Sequence, residues 1–278
     1  MPYSAEINRA KPTAFFFLID QSGSMDDAWG MDVGKRKCDA VADAINRLLS
    51  TLVLRCAKGE DVRDYFQVGV LGYGGQVRNG FTGALANRQF VPISEVADNP
   101  LRVEQRTRKE DDGAGGLVER TVRFPVWFEA SANGNTPMKA AVDKAREIVK
   151  DWCDLYPLSY PPAVINISDG EPTDGDTQGV AEQLKQIGTN DGRVLFFNIH
   201  ISGSSKRPIE FPDSQVGLPD EFAQRLFAMS STLPPRLGEE ARREGFPISP
   251  NSRGFAFNAD LRALVQFLDI GTRTSDLR

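Results

Sequence analysis

The sequence predicts an α/β fold: a doubly wound, mostly parallel central sheet flanked by helices, with one antiparallel edge strand. Two observations carry that expectation. Short apolar runs, the mark of strands covered on both faces, alternate along the chain with segments whose apolar residues recur at three- and four-residue steps. Two of these runs, at residues 14–20 and 163–168, lead into Asp20 and Asp169, with glycine close behind, as strands do when they deliver side chains to the carboxyl edge of a parallel sheet.

The elements follow in order. The first strand covers residues 14–20. A helix follows over about 35–55, where Cys38, Val41, Ala42, Ile45, Leu48, Leu49 and Leu52 share the face that covers the sheet. Residues 65–73 make a second strand, and the pair Gly74-Gly75 permits a tight return into 76–81, the antiparallel edge strand. From 82 to 129 the alternation breaks down under Pro92, Pro100, a charged run at 102–112, and Gly113, Gly115 and Gly116. This stretch reads as an insertion, in which 101–108 and 118–124 either pair as a hairpin arm or stay a loop.

Alternation resumes at Thr136, where Met138, Ala141, Val142, Ala145, Ile148, Val149 and Trp152 mark one helix face, and Pro157, Pro161 and Pro162 end the helix. A strand at 163–168, a helix at 177–186 and a buried strand at 194–201 come next. Helical patterns at 222–229 and 239–243, a last strand at 253–257 and a closing helix at 259–268 complete the chain. The expected organisation is an N-terminal extension, 1–12, a single domain, 13–270, with the insertion at 82–129, and a tail, 271–278.

Composition narrows the function classes. Of 278 residues, 40% are hydrophobic and 26% charged, which excludes a wholly disordered or fibrous chain. A net charge of -5 gives no electrostatic reason to expect nucleic acid as a partner. No apolar run is long enough to cross a bilayer, and residues 1–11 lack the marks of a secretory signal, so no membrane partner and a cytoplasmic location are expected. Cys38, Cys56 and Cys153 are widely spaced in helical segments without a Cys-x-x-Cys pair, and read as reduced, buried small hydrophobes.

Chemistry concentrates at the strand ends. Asp20-Gln21-Ser22-Gly23-Ser24 places a carboxylate and two hydroxyls on one tight loop, hard oxygen donors of the kind Mg²⁺ or Mn²⁺ prefers. A turn running into a helix start explains the same residues equally well. Thr136 precedes Pro137, and a proline at the first helical position makes Thr136 a natural N-cap, although a hydroxyl oxygen has lone pairs enough to cap and to ligate. Asp169-Gly170 ends the second apolar strand. Glu171, Asp174 and Asp176 read as a solvated rim, Trp29 and Met31 as an apolar contact beside the loop or as local packing, and His200 as a satisfied core residue. Ser202-Gly203-Ser204-Ser205 lacks the lysine of a phosphate-cradling loop.

Taken together, Asp20-Gln21-Ser22-Gly23-Ser24, Thr136 and Asp169-Gly170 resemble the metal-ion-dependent adhesion site (MIDAS) of the von Willebrand factor A (VWA) family, also known from integrin inserted domains. The resemblance spans about 13 to 268, with 82–129 outside the usual pattern. It implies a Rossmann-like VWA fold in which Ser22 and Ser24 ligate the metal directly, Thr136 directly or through water, and Asp20 and Asp169 directly or through bridging water. The implied ion is Mg²⁺, with Mn²⁺ or Ca²⁺ as alternatives. The implied partner is a protein whose Glu or Asp completes the coordination shell. A general similarity to bacterial A-domain proteins of the tellurium-resistance and stress-response type adds a kinase or phosphatase as a candidate neighbour.

Two rival readings remain at this point. Asp20 could imitate the nucleophile of a metal-dependent phosphohydrolase. Against that, Gln21 and Ser22 leave no second acid in an Asp-x-Asp pattern, and no His or Lys stands out as a general acid or base. The other rival is a metal-free scaffold whose acidic edge is structural.

Overall fold

All eight residues of the first strand, β1 (Thr13–Asp20), are buried, as expected of a near-continuous apolar run whose side chains point in turn to two covered faces. In the computed structural model, which describes residues 3–29, 34–111, 117–201, 207–259 and 261–271, every other major element is arranged about this strand. A short 3-10 turn, Gly23–Asp26, leads toward helix α1 (Lys37–Cys56). A small hairpin of β2 (Ala57–Lys58) and β3 (Asp61–Val62) returns the chain to β4 (Phe66–Tyr73), and β5 (Val77–Asn79) folds back on it.

The stretch expected to be an insertion holds more regular structure than its sequence advertises. Strand β6 (Val91–Pro92) pairs antiparallel with β4 and runs straight into helix α2 (Ile93–Asp98), neither of which the irregular pattern predicts. Beyond them, β7 (Arg102–Asp111) and β8 (Leu117–Val126) pair along their whole length, which decides for the hairpin arm over the loop. Besides the buried Phe124 and Val126, polar contacts hold the arm to the body. The Arg106 guanidinium lies 3.6 Å from the centre of the Phe124 ring and donates to Asp43 of α1 at 2.8 Å. At the arm's base the buried side chain of Asn46 receives the backbone N–H groups of Trp127 and Phe128 and donates to the Phe128 carbonyl. Gly113, Gly115, Gly116 and Asp112 lie outside the described residues.

Helix α3 (Met138–Leu155), strand β9 (Ala163–Ser168) and helix α4 (Gln178–Gln186) follow, then a second small hairpin of β10 (Gly188–Thr189) and β11 (Gly192–Arg193). Strand β12 (Leu195–Ile201), β13 (Ile209–Glu210), α5 (Glu221–Met229), α6 (Pro235–Arg243), β14 (Phe255–Ala259) and α7 (Leu261–Gly271) complete the described chain.

Among the described residues the main sheet has the order β13-β14-β12-β9-β1-β4-β5, with β6 beside β5 on the outer edge of β4. The run from β14 to β4 is parallel throughout, while β5, β6 and β13 pair antiparallel at the two edges. The α/β class and the mostly parallel sheet are therefore as expected, but antiparallel pairing occurs at both edges and not on a single strand. Helices cover both faces. Phe15, Phe17 and Ile19 pack with α1, α2, α6 and α7, whereas Ala14, Phe16 and Leu18 pack with α3, α4 and α5. A polar line crosses the second layer: Tyr73 donates to Asn166 at 2.7 Å, Asn166 to Asn198 at 3.0 Å, and Asn198 to Ser230 at 3.0 Å. Such a line fixes the lateral register of β4, β9 and β12, because a one-residue slip leaves buried amides unpaired.

The order in which strands are added reverses at β1. The connection through α1 places β4 on one side of it, and the later strands β9, β12 and β14 lie on the other. The carboxyl end of β1 is thus the topological switch point, where loops diverge and leave a crevice for a ligand.

Candidate metal centre

Asp20 is the last residue of β1 and has no exposed surface. Its Oδ1 accepts the backbone N–H of Ser22 at 2.8 Å and its Oδ2 accepts the hydroxyl of Ser168, the last residue of β9, at 2.7 Å. Burial is the main influence on this carboxyl and pushes its pKa up from 3.8 to about 6. The hydrogen bonds from Ser168 and Ser22 oppose that rise, and the charge of Asp169 adds to it.

From there a line of oxygens runs across the crevice. Ser22 Oγ lies 3.1 Å from Ser24 Oγ, and Ser24 donates to Asp169 Oδ1 at 2.7 Å. The other oxygen of Asp169 accepts from the Lys37 ammonium at 2.7 Å. Ser24 is exposed, so the line opens to solvent at its middle.

Thr136 approaches from the loop before α3. A Cβ on Gly170 would lie 3.9 Å from Thr136 Oγ1 and 4.0 Å from Ser24 Oγ, so both hydroxyls border the same small space. The Thr136 hydroxyl makes no hydrogen bond with a described residue. The expected N-cap role is therefore overturned: Pro137 occupies the cap position, and the free N–H groups of Lys139 and Ala140 are received by the carboxylate of Asp174, at 3.1 and 2.8 Å. Proline, lacking a donor, takes the position outside the helix, and a carboxylate from another loop supplies the cap.

Close backbone packing holds these loops in place. The N–H groups of Gly23 and Gly75 donate to Gly134 and Asn133, and that of Asn133 donates to Gln21. A side chain at Gly74 would put its Cβ 2.5 Å from the Gln21 carbonyl oxygen, and Gly134, at φ +84°, would bring one 2.5 Å from Gly75. Beside them opens a cleft of about 270 Å³ lined by Gln21, Gly74, Gly75, Gln76, Arg78 and Asn133, in which Arg78 donates to Ser131 at 2.9 Å.

The structure thus brings together all five residues singled out from the sequence, Asp20, Ser22, Ser24, Thr136 and Asp169, and adds two that sequence reasoning missed. Ser168 was read only as part of an apolar strand. Lys37 was passed over although it stands four residues before Val41, on the buried stripe of α1, where an unpaired lysine is out of place. Lys37 meets this site as the ion-pair partner of Asp169.

The remaining candidates sort by contact. Asp176 accepts the N–H of Gln178 at the start of α4, so it and Asp174 order helix ends. Glu171 is exposed. Trp29 is buried in the core, which favours its packing role, and Met31 lies outside the described residues, as do residues 202–205. His200 is a core residue stacked on Phe257, with ring centres 4.7 Å apart, but its buried Nδ1 has no hydrogen-bond partner among the described residues, so it is not a satisfied one. Burial pushes its pKa down to about 4. The three cysteines are free and buried.

Two carboxylates and three hydroxyls make a hard, oxygen-only donor set that suits Mg²⁺, Mn²⁺ or Ca²⁺ and not zinc. Among the described residues no three His, Cys, Asp or Glu side chains converge, so any ion here would depend on the hydroxyls. The Thr136 oxygen, which makes no hydrogen bond with a described residue, fits that requirement. Asp20 does not fit a phosphoryl nucleophile, because it is buried and both its oxygens already accept hydrogen bonds.

No family model and no curated protein matches this chain. Among solved structures it is similar to proximal thread matrix protein 1 from the mussel byssus, with 16% identity and a TM-score of 0.45 over 82% of this chain and 43% of that one. It is also similar to the manganese-loaded TRAP protein of Plasmodium vivax, with 14% identity and a TM-score of 0.45 over 99% of this chain and 78% of that one. For the vWF domain of the type V pili tip protein Mfa5 from Porphyromonas gingivalis the identity is 12% and the TM-score 0.30, over 58% of this chain and 39% of that one. No helix among the described residues is long and apolar enough to cross a membrane.

Proposed function

We propose that this chain is a metal-dependent protein-binding module of the VWA kind. In this reading a divalent cation, Mg²⁺ in the first instance, is held by Ser22, Ser24 and Thr136 with Asp20 and Asp169 behind them, and a Glu or Asp of a partner protein completes its shell. The observation that supports it most is the unbroken line from Asp169 through Ser24 to Ser22, laid across the ends of β9 and β1 beside the Thr136 hydroxyl, which no described residue engages. Three neutral hydroxyls leave much of a dication's charge uncompensated, so it would favour an external carboxylate. Arg78, in the neighbouring cleft, supplies a second positive group for an acidic segment. A cytoplasmic setting beside a kinase or phosphatase, in a stress response, belongs to the same proposal.

The chemistry such an ion supplies is Lewis-acid attraction for a carboxylate, and this chain's residues orient it and limit its access to solvent. Calorimetric titration with Mg²⁺ and Mn²⁺, together with capture of a Glu-rich peptide on a surface with and without EDTA, tests the reading. Asp20→Ala and Ser22→Ala should each lower metal affinity more than about tenfold and abolish capture. Capture that survives both EDTA and Asp20→Ala would exclude it.

A further inference from the structure

The lysine in the crevice calls for an explanation of its own. Lys37 is the first residue of α1, a helix end at which the backbone dipole disfavours a cation. Its side chain is only 10% exposed and that of Asp169 1%, so the pair is shut away from solvent. Besides the 2.7 Å contact with Asp169, the ammonium lies 3.3 Å from the Ser24 carbonyl oxygen and 3.5 Å from Asp27 Oδ2. The charge therefore sits against the local electrostatics of its helix, held by Asp169, Ser24 and Asp27 together.

We propose that Lys37 is a tethered cation that competes with the divalent ion at Asp169, so that metal loads this site only by displacing the Lys37–Asp169 pair. This inference rests on the metal-centre reading above. Without Lys37 the site presents two carboxylates to an ion. With it, one of those charges is already compensated, and a dication meets both weaker attraction and a cation of like sign. The displaced ammonium has somewhere to go. Asp27, whose side chain is 70% exposed, stands 3.5 Å from it, and a flexible four-carbon stem lets the ammonium turn outward without moving the helix. Two states follow, a lysine-closed site and a metal-loaded one, and the second is reached only above a threshold of free metal set by the strength of the ion pair.

The test is calorimetric titration of the full chain with Mg²⁺ and with Mn²⁺, for the natural sequence, Lys37→Met, Lys37→Gln, Asp27→Ala and Asp20→Ala, with thermal unfolding followed in parallel. Lys37→Met should tighten Mg²⁺ binding by about tenfold or more. It should also lower the unfolding temperature of the metal-free protein, with saturating Mg²⁺ restoring it. Binding by Lys37→Met where the natural chain shows none would support the inference equally. Asp27→Ala should weaken binding by a smaller factor, because the displaced ammonium loses its outer acceptor. Lys37→Gln carries the same comparison if Lys37→Met does not fold. Equal affinity in the natural chain and the Lys37 variants, lost in Asp20→Ala, would overturn the role of Lys37 and leave the metal centre standing. No heat with either ion in any of these proteins would overturn both.

Discussion

Asp169 commits both carboxylate oxygens to neighbours, Oδ1 to Ser24 and Oδ2 to Lys37, while Asp20 is locked by Ser22 and Ser168. Both acids were legible in the sequence because each stands at the carboxyl end of a buried strand, Asp20 as the last residue of β1 and Asp169 just after β9. Their partners were not, since Lys37 lies far from Asp169 in the chain and only the fold brings them together. The buried His200 gives this scale a further prediction. Its pKa is lowered from 6.5 to about 4 by burial first, with Asp220 and Asp169 opposing the shift and Lys37 adding to it. The unfolded chain then binds the proton more readily, so the contribution of neutral His200 to stability is full above pH 6.5 and is lost as the pH falls through about 4. It amounts to about 3 kcal/mol. Asp20 works in the opposite sense: its pKa is raised to about 6, so its contribution is present at low pH and is lost as the pH rises through that value. Denaturant unfolding of the natural chain and His200→Phe across pH 4 to 7 separates the two. The variant should lose the acid-side decline assigned to the histidine. An unchanged decline would show that His200 is not its source.

Among the elements, long periodic segments were read closely and short or irregular ones were not. Residues 163–168 coincide with β9, and the apolar stripe from Met138 to Trp152 marks α3, because burial on one or two faces writes a repeating pattern. The two-residue strands β2, β3, β10 and β11 are too short to carry one, and β14 begins two residues later than the expected 253. The start of α3 was misread for a different reason. Its cap comes from Asp174, on a loop more than a helix length away, and no local signal reveals it. Asp174→Ala should therefore destabilise the fold by about 1 kcal/mol, as loss of an N-cap side chain does. It should also weaken any metal binding modestly, because Thr136 stands just before that first turn. Denaturant unfolding and Mg²⁺ titration of the same variant check both effects. An unchanged unfolding midpoint would mean that water replaces the carboxylate as the cap.

For the molecule as a whole, the crevice lies where both helical layers and the central sheet meet. Ser22 and Ser24 follow β1, Thr136 precedes α3 of one layer, Lys37 begins α1 of the other, and Asp169 follows β9. An ion bound among these residues would bridge segments distant in sequence and would have no equivalent site in the unfolded chain. Its binding energy would then appear directly as stability, about 2.7 kcal/mol when the free ion is at one hundred times its dissociation constant. For a chain of this size that corresponds to a rise in unfolding temperature of about 5 °C, reversed by EDTA. The double variant Ser22→Ala, Ser24→Ala keeps both carboxylates and Lys37 but removes the hydroxyls, so it should unfold at the same temperature with and without Mg²⁺. This comparison separates the crevice from the acidic residues scattered elsewhere on the surface, which also attract divalent ions weakly. A shift that persists in the double variant would place the stabilising ion outside the crevice and remove the reason for assigning the hydroxyls to a metal.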